Sequence, residues 1–302
     1  MDDRFNDVDV VAEGTCEWLL RHKTYRSWVT CNRGLLCIKG KPGSGKSTLL
    51  RYVIDNVMVA SNIRGNALVL SFFFHGRGAE LQRTPLGFFR SLLHQLLPHV
   101  PDTLPELVAT FQERCKNIGE PDKKWRWHLR ELQGFLKSSL SKVLEKRSVC
   151  LFVDALDECG EQNAIGLVEK FKSLLRELPS SSQFHICFTC RHYPILDLDY
   201  EFEICPEHEN REDISTYVQA QFSAPTTSTI PATTRETITR RASGMFLWAR
   251  LVIRRVLDLE RGGWGWAAVE AEINTIPPDL DELYLELVQG MDERSVSLRL
   301  IQ

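Results

Sequence analysis

Nowhere in the 302 residues does an uncharged apolar run approach the roughly 18 residues that cross a bilayer, and the acidic start Met1-Asp2-Asp3 lacks the basic and apolar regions of a secretory signal. These absences argue against a membrane-spanning or exported protein, and a cytoplasmic chain with no membrane partner is expected. A basic stripe is missing too. The 37 Lys and Arg are mixed with 40 Asp and Glu along the length, for a net charge of -3, so no nucleic-acid surface is indicated. There is no internal repeat. The nine cysteines are odd in number and follow no framework, which fits a reducing compartment and a chain too large to need disulfide staples. Cys187-Phe188-Thr189-Cys190 has zinc-knuckle or redox spacing, but there is no second CxxC. The motif also falls on a run read as a strand, where residues three apart face opposite sides. Core cysteines are expected there.

What the chain does have is a composition 43% hydrophobic and 25% charged, ordinary for a globular protein with a sizeable core. Residues Gly40, Lys41, Pro42, Gly43, Ser44, Gly45, Lys46 and Ser47 match G-x-x-x-x-G-K-[ST] in full. The apolar run Leu35-Leu36-Cys37-Ile38 precedes this motif, and Thr48-Leu49-Leu50-Arg51-Tyr52-Val53-Ile54 follows at helical spacing. A phosphate-binding loop requires this context: a strand delivers the chain to a glycine turn, and a helix N-terminus follows to meet the phosphates.

Short β-like runs alternate with amphipathic stretches, the pattern of an α/β domain with a parallel sheet. Strands are expected at Leu35–Lys39, Ala67–Phe74, Val149–Val153, Phe184–Thr189 and Phe202–Cys205. Thr84-Pro85 is a helix start, N-cap then proline, for a helix through Leu97. The stripe Trp125, Leu129, Leu132, Leu136, Leu140, Val143 predicts a second helix, and the stripe from Ala164 to Leu178 a third. After Cys205 the pattern turns helical, at Glu212–Phe222, Thr234–Ala242, Met245–Leu259, Ala267–Asn274 and Leu280–Gly290, with a loop at Ser223 to Thr234. The domain reading is a helical lead-in over residues 1–30, an NTPase core over 31–206 and a small helical lid subdomain over 207–302.

Lys46 is expected to reach the β and γ phosphates, Ser47 to ligate Mg²⁺, and Thr48 to approach the α-phosphate. The second half of the site is the apolar strand ending Val153-Asp154, followed by Ala155-Leu156-Asp157-Glu158. A carboxylate at a strand end beside the loop can hold the metal, which is the role expected of Asp154, while another polarises the attacking water. Asp157 and Glu158 both qualify for that second role, with Glu158 favoured, and either could instead only cap the next helix. Thr189-Cys190-Arg191 closes a further strand, so Arg191 is expected to sense the γ-phosphate, the alternative being a surface ion pair. Arg77, in Phe73-Phe74-His75-Gly76-Arg77-Gly78, is a second cationic candidate. No N-K-x-D motif reads guanine, so ATP and GTP both stay open.

These motifs in this order resemble the NACHT NTPase domain of fungal NOD-like receptors, of the nephrocystin-3-like N-terminal type. The resemblance extends upstream to Gly14-Thr15-Cys16-Glu17-Trp18-Leu19-Leu20 and downstream to Glu209-Asn210-Arg211-Glu212-Asp213-Ile214 and Ala242-Ser243-Gly244-Met245-Phe246-Leu247-Trp248-Ala249. It implies a P-loop NTPase sheet of order 5-1-4-3-2 with a helical lid. It also implies a signalling switch of the STAND class that hydrolyses Mg-ATP or Mg-GTP slowly, in fungal non-self recognition or programmed cell death, with self-association in the triphosphate state. Its roles fall on Lys46 and Ser47 as Walker A, Asp154, Asp157 and Glu158 as extended Walker B, and Arg191 as sensor 1. Where plant and animal relatives carry Gly-x-Pro in the lid, this chain has Gly244-Met245-Phe246. It ends at Gln302, before any winged-helix or repeat sensor, so effector and sensor partners are not specified. A truncated binding module without turnover is the alternative.

Overall fold

The computed structural model describes residues 8, 11–56, 67–121, 123–178, 183–193, 202–223, 230–280 and 282–283. By internal contacts the chain forms two compact units. One is built on residues 17–39 and 46–204, the other on residues 12–16, 40–45 and the chain from 205 onward.

The first unit is organised on a five-stranded sheet. Its strands are β1 (Arg33–Lys39), β2 (Leu68–Phe73), β3 (Val149–Asp154), β4 (Phe184–Cys190) and β5 (Phe202–Ile204). They pair in the order β2-β3-β4-β1-β5, all parallel, which is the 5-1-4-3-2 order read from the opposite edge. Apart from the four-residue helices Trp18–Arg21 and Pro206–Glu209, the helices in chain order are, in the first unit, α1 (Lys23–Thr30), α2 (Lys46–Asn56), α3 (Pro85–Leu96), α4 (Leu104–Asn117), α5 (Leu129–Leu144) and α6 (Glu161–Glu177). Those of the second unit are α7 (Arg211–Gln221), α8 (Ala232–Ala242), α9 (Phe246–Arg261) and α10 (Trp266–Thr275).

Strand alternation decides what each side of the sheet carries. Leu35, Cys37, Val149, Leu151, Val153, Phe184, Ile186, Phe188 and Cys190 share one core with the apolar stripes of α3, α5 and α6. The intervening residues Leu36, Ile38, Cys150, Phe152, Asp154, Cys187 and Thr189 point to the other face and are also buried. α2 packs against β3 and β4 there. Both faces are therefore covered, which is why β3 and β4 are buried at every position and read as continuous apolar runs. Asp154, His185 and Thr189, the polar residues of those runs, all lie on the face opposite α3, α5 and α6.

Thr84 caps α3 as expected, its hydroxyl accepting from the Gly87 N–H at 3.4 Å. The second predicted helix starts later than its stripe suggests. Trp125 lies ahead of α5 and forms an edge contact with Trp127, with the Arg114 guanidinium 5.2 Å from its ring. Arg114 in turn pairs with Glu131 in the first turn of α5. α4 is an element the sequence reading did not include, although Leu104, Leu107, Val108 and Phe111 recur at helical spacing; none of its residues is buried. Cys187 and Cys190 sit on opposite faces of β4, and all nine thiols are unbridged. In the second unit, α7 to α10 close on a core of Ile214, Val218, Ile238, Trp248, Val252, Val256, Val269 and Ile273. The predicted helix Leu280–Gly290 lies almost wholly outside the described residues. No helix among the described residues is long and apolar enough to cross a membrane.

Candidate functional site

β1 ends at Lys39 and α2 begins at Lys46, so Gly40 to Gly45 turn the chain from strand to helix. Gly43 takes φ +73° and Gly45 φ +86°, left-handed backbone that side chains with a Cβ adopt at a cost. At Gly43 space also forbids a side chain: a Cβ would fall 2.7 Å from Leu247 Cβ. The loop is held through its carbonyls. Leu247 N–H donates to the Gly43 carbonyl at 3.1 Å. The Asn210 Nδ2 amide donates to the Ser44 carbonyl at 2.6 Å and to the Gly244 carbonyl at 3.2 Å. Lys41 and Pro42 are exposed at the tip, and Thr48 is half-buried in the first turn of α2.

In the first unit, Asp154 ends β3 and is fully buried. The Ser47 hydroxyl donates to its Oδ2 at 2.8 Å, and the Thr189 hydroxyl donates to its Oδ1 at 2.7 Å. Thr189 Oγ1 also accepts from the Ala155 N–H at 2.7 Å. One threonine thus ties the end of β4 to the turn that follows β3. Ala155 is left-handed, φ 50°, a conformation costing a non-glycine residue roughly 1–2 kcal/mol. The bend starts the 3-10 turn Leu156–Cys159 directly after Asp154.

That turn carries the two other carboxylates. Arg191 grips Asp157 twice: its backbone N–H donates to Oδ1 at 3.1 Å and its Nε lies 3.2 Å from Oδ2. Arg191 Nη2 is 3.6 Å from Glu158 Oε1. The other oxygen of Glu158 accepts from the Gly76 N–H at 2.7 Å. Burial pushes the Asp157 carboxyl above its usual range, and Arg191, with Lys46 as a smaller contributor, draws it back. Two carboxylates and one guanidinium therefore form a compact charge cluster at the C-terminal ends of β3 and β4.

The structure brings together Ser47, Asp154, Asp157, Glu158 and Arg191 in the first unit, and it gathers Gly40 to Gly45 as one turn leading into Lys46. Arg77 directly follows Gly76, whose N–H holds Glu158; it is exposed, and its side chain makes no ion pair or hydrogen bond among the described residues. Arg191 presents its charge to the two carboxylates from a half-exposed position, an ion pair at the surface that both the γ-phosphate and the salt-bridge expectations accommodate. Three contributors went unassigned in the sequence. Thr189 signalled itself only as a hydroxyl near the end of an apolar strand. Gly76 acts through its backbone, which no side-chain pattern reports. Asn210 stands at the N-cap of α7, where Asn normally caps its own helix, yet its side chain makes no cap bond and serves the loop instead.

The donor set fits a magnesium nucleotide. Within the first unit, Ser47 and Asp154 offer the oxygen atoms a hard cation takes, and Lys46 opens α2, whose N-terminus is an anion-binding helix start. Among the described residues no trio of His, Cys, Asp or Glu forms a separate metal cage. Magnesium in a P-loop site needs none, because nucleotide phosphates complete its shell.

Comparison with known proteins agrees with this geometry. The family described as Nephrocystin 3, N-terminal, matches residues 14–191. Vegetative incompatibility protein HET-E-1 of Podospora anserina is 25% identical over 291 residues, covering 90% of this chain and 20% of that protein. The chain thus spans about a fifth of this relative's length. Among solved structures, a chain from the Drosophila ORC bound to DNA aligns with TM-score 0.51 at 12% identity, covering 88% of this chain and 60% of that one. The Walker-type ATPase of Pyrococcus abyssi aligns with TM-score 0.49 at 15% identity, over 93% of this chain and 76% of that one. The Drosophila likeness supports the three-layer P-loop fold already evident in the sheet. The chain belongs to the Nephrocystin 3, N-terminal, family, and its domain is a NACHT-type P-loop NTPase domain.

Proposed function

We propose that the chain is a nucleotide-operated signalling switch that binds Mg-ATP or Mg-GTP and hydrolyses it slowly. The observation that carries this reading is the Ser47–Asp154–Thr189 chain of hydrogen bonds beside the Asp157–Glu158–Arg191 cluster, at the C-terminal edge of a parallel sheet where a Walker A loop arrives. Lys46 supplies the fixed positive charge for the β and γ phosphates, and Ser47 with Asp154 would hold the magnesium. The metal, when bound, neutralises charge developing on the transferred phosphoryl group. Thr189 keeps Asp154 aimed by donating to it. Glu158, held by Gly76, is placed to orient a water, and Asp157 keeps Arg191 in reserve.

Arg191 is the switch element in this reading. In the described arrangement its charge is spent on Asp157 and Glu158, so a γ-phosphate must compete for it. Only a ligand that interacts differently with two states can shift their balance. The residues from 207 onward act as the lid, and the NTPase core supplies the self-association surface. The Podospora relative is named a vegetative incompatibility protein, which supports a place in fungal non-self recognition; a cell-death output is the further part of this proposal.

A second reading, nucleotide binding without turnover, is favoured by one observation: both candidate water-positioning carboxylates are already engaged, Asp157 by Arg191 and Glu158 by Arg191 and Gly76. Phosphate release measured with Mg-ATP and Mg-GTP separates the two. Slow release abolished by Lys46→Ala supports the switch, and none above the Lys46→Ala background selects the binding module.

A further inference from the structure

Two buried polar side chains stand one helical turn apart at the start of α7. Asn210 and Asp213 are 3% and 6% exposed. Asn210 donates to the carbonyls of Ser44, in the phosphate loop, and of Gly244, in the turn before α9. Asp213 Oδ2 accepts from the Cys16 N–H at 2.7 Å. Cys16 is left-handed at φ 68°, a conformation that persists in a non-glycine residue only when its surroundings hold it. The short segment it closes is built as a unit: Thr15 turns its backbone N–H and its hydroxyl onto the Ala12 carbonyl, at 3.1 and 2.7 Å. Residues 12–16, the loop 40–45 and the chain from 205 onward belong to the same compact unit. Three segments far apart in sequence thus meet on one turn of one helix.

We propose that Asn210 and Asp213 are positioning residues that form a relay, with Asn210 reading the shape of the phosphate loop and Asp213 passing it to the segment 12–16. The inference rests on the nucleotide-binding reading. A change in the Ser44 peptide plane on exchange of triphosphate for diphosphate redirects the carbonyl that Asn210 holds. The Asn210 amide cannot follow without also moving away from the Gly244 carbonyl, and the first turn of α7 joins Asn210 to Asp213 through helical backbone. Gly244 reinforces the linkage, since at φ +81° it brings its α-carbon so close to Glu207 that a Cβ would fall 2.2 Å from the Glu207 carbonyl oxygen. The turn therefore has little freedom to absorb the change locally.

The test is residue-resolved hydrogen exchange on the whole chain with Mg-ATPγS, Mg-GTPγS and Mg-ADP as probes. In the wild type, a bound probe protects residues 46–56, and triphosphate analogue and diphosphate differ in exchange at the Cys16 amide. Asp213→Ala keeps the protection of 46–56, speeds Cys16 exchange at least about tenfold, the scale of a lost hydrogen bond to a charged group, and erases the nucleotide-dependent difference. Asp213→Asn, which still offers an accepting oxygen, restores it. Asn210→Ala removes the difference at Cys16 from the other end of the relay. Should Asp213→Ala fail to fold, the wild-type comparison alone decides. A Cys16 amide indifferent to the nucleotide while 46–56 is protected overturns the relay, as does a difference that survives Asp213→Ala. If no probe protects 46–56 in the wild type, the nucleotide reading itself falls and the relay with it.

Discussion

Arg191 holds Asp157 through both its backbone and its guanidinium, at 3.1 and 3.2 Å, so the residue expected to sense a γ-phosphate begins in the grip of a carboxylate. Asp157's side chain is 8% exposed while Arg191's is 50% exposed. The pair is therefore buried on the acid side and open to solvent on the cation side, which lets the cation leave more cheaply than the acid could. Arg191→Ala should weaken triphosphate binding by about 1.5 kcal/mol, at the low end for a hydrogen bond to a charged group, because the arginine gives up its carboxylates to make the contact. Diphosphate affinity should change much less. Titrations of both nucleotides against the variant check this, and equal losses would make Arg191 a structural residue.

Asp157 also sets a pH dependence. Its carboxyl titrates above the ordinary value because burial penalises the charge. The folded state therefore holds the proton more tightly than the unfolded chain. Stability falls as pH rises from the unfolded pKa through the raised folded one, and the full penalty is present at neutral pH. Asp157→Asn should consequently raise the melting temperature at pH 7, with the gain vanishing below about pH 4, where the unfolded carboxyl is protonated. Thermal melts across pH check the sign. A loss of stability at pH 7 would mean that the Arg191 pairing outweighs the burial cost.

Thr189→Val removes one hydroxyl while keeping shape and volume close. It strips Asp154 of a donor and leaves the Ala155 N–H without its acceptor. A buried amide left unsatisfied costs about 1–3 kcal/mol, and this one is half-buried, so denaturant unfolding should show a loss toward the lower end, about 1 kcal/mol. Magnesium dependence of nucleotide binding should weaken in the same variant, because Asp154 loses the group that orients it. A variant as stable as wild type with unchanged magnesium dependence would show that Thr189 does neither job.

Gly244→Ala places a methyl where the Glu207 backbone already lies and holds it in left-handed φ. The conformation alone costs roughly 1–2 kcal/mol, and the backbone collision adds to it. Denaturant unfolding monitored at Trp248, fully buried in the second unit, should show a loss larger than that range. A neutral outcome would mean that the turn rearranges freely, which also removes the rigidity assigned to it in the relay.

Most of the sheet was legible because each strand is buried on both faces or bounded by turn residues. β3 and β4 have no exposed position to blur the apolar run. The loop and Asp154 were legible because a motif of fixed spacing reports a backbone shape and a strand end reports an edge of the sheet. α4 was passed over although Leu104, Leu107, Val108 and Phe111 recur at helical spacing; this short stripe stays largely exposed in the fold. Trp125 misled the start of α5 because an aromatic held by Arg114 and Trp127 looks like one more residue of a helical stripe. Thr189, Gly76 and Asn210 act on partners 35, 82 and 166 residues away, and one sequence without its fold has no means of pairing them.

The central claim is that the loop Gly40–Ser47 binds nucleotide phosphate through Lys46, and calorimetric titration of Mg-ATP and Mg-GTP into wild type and Lys46→Ala tests it most directly. Wild type should bind at least one of the two nucleotides with a 1:1 stoichiometry, and Lys46→Ala, folded by circular dichroism, should bind neither detectably. Unchanged binding in the folded variant, or no binding to a wild type cleared of co-purified nucleotide, would contradict the account.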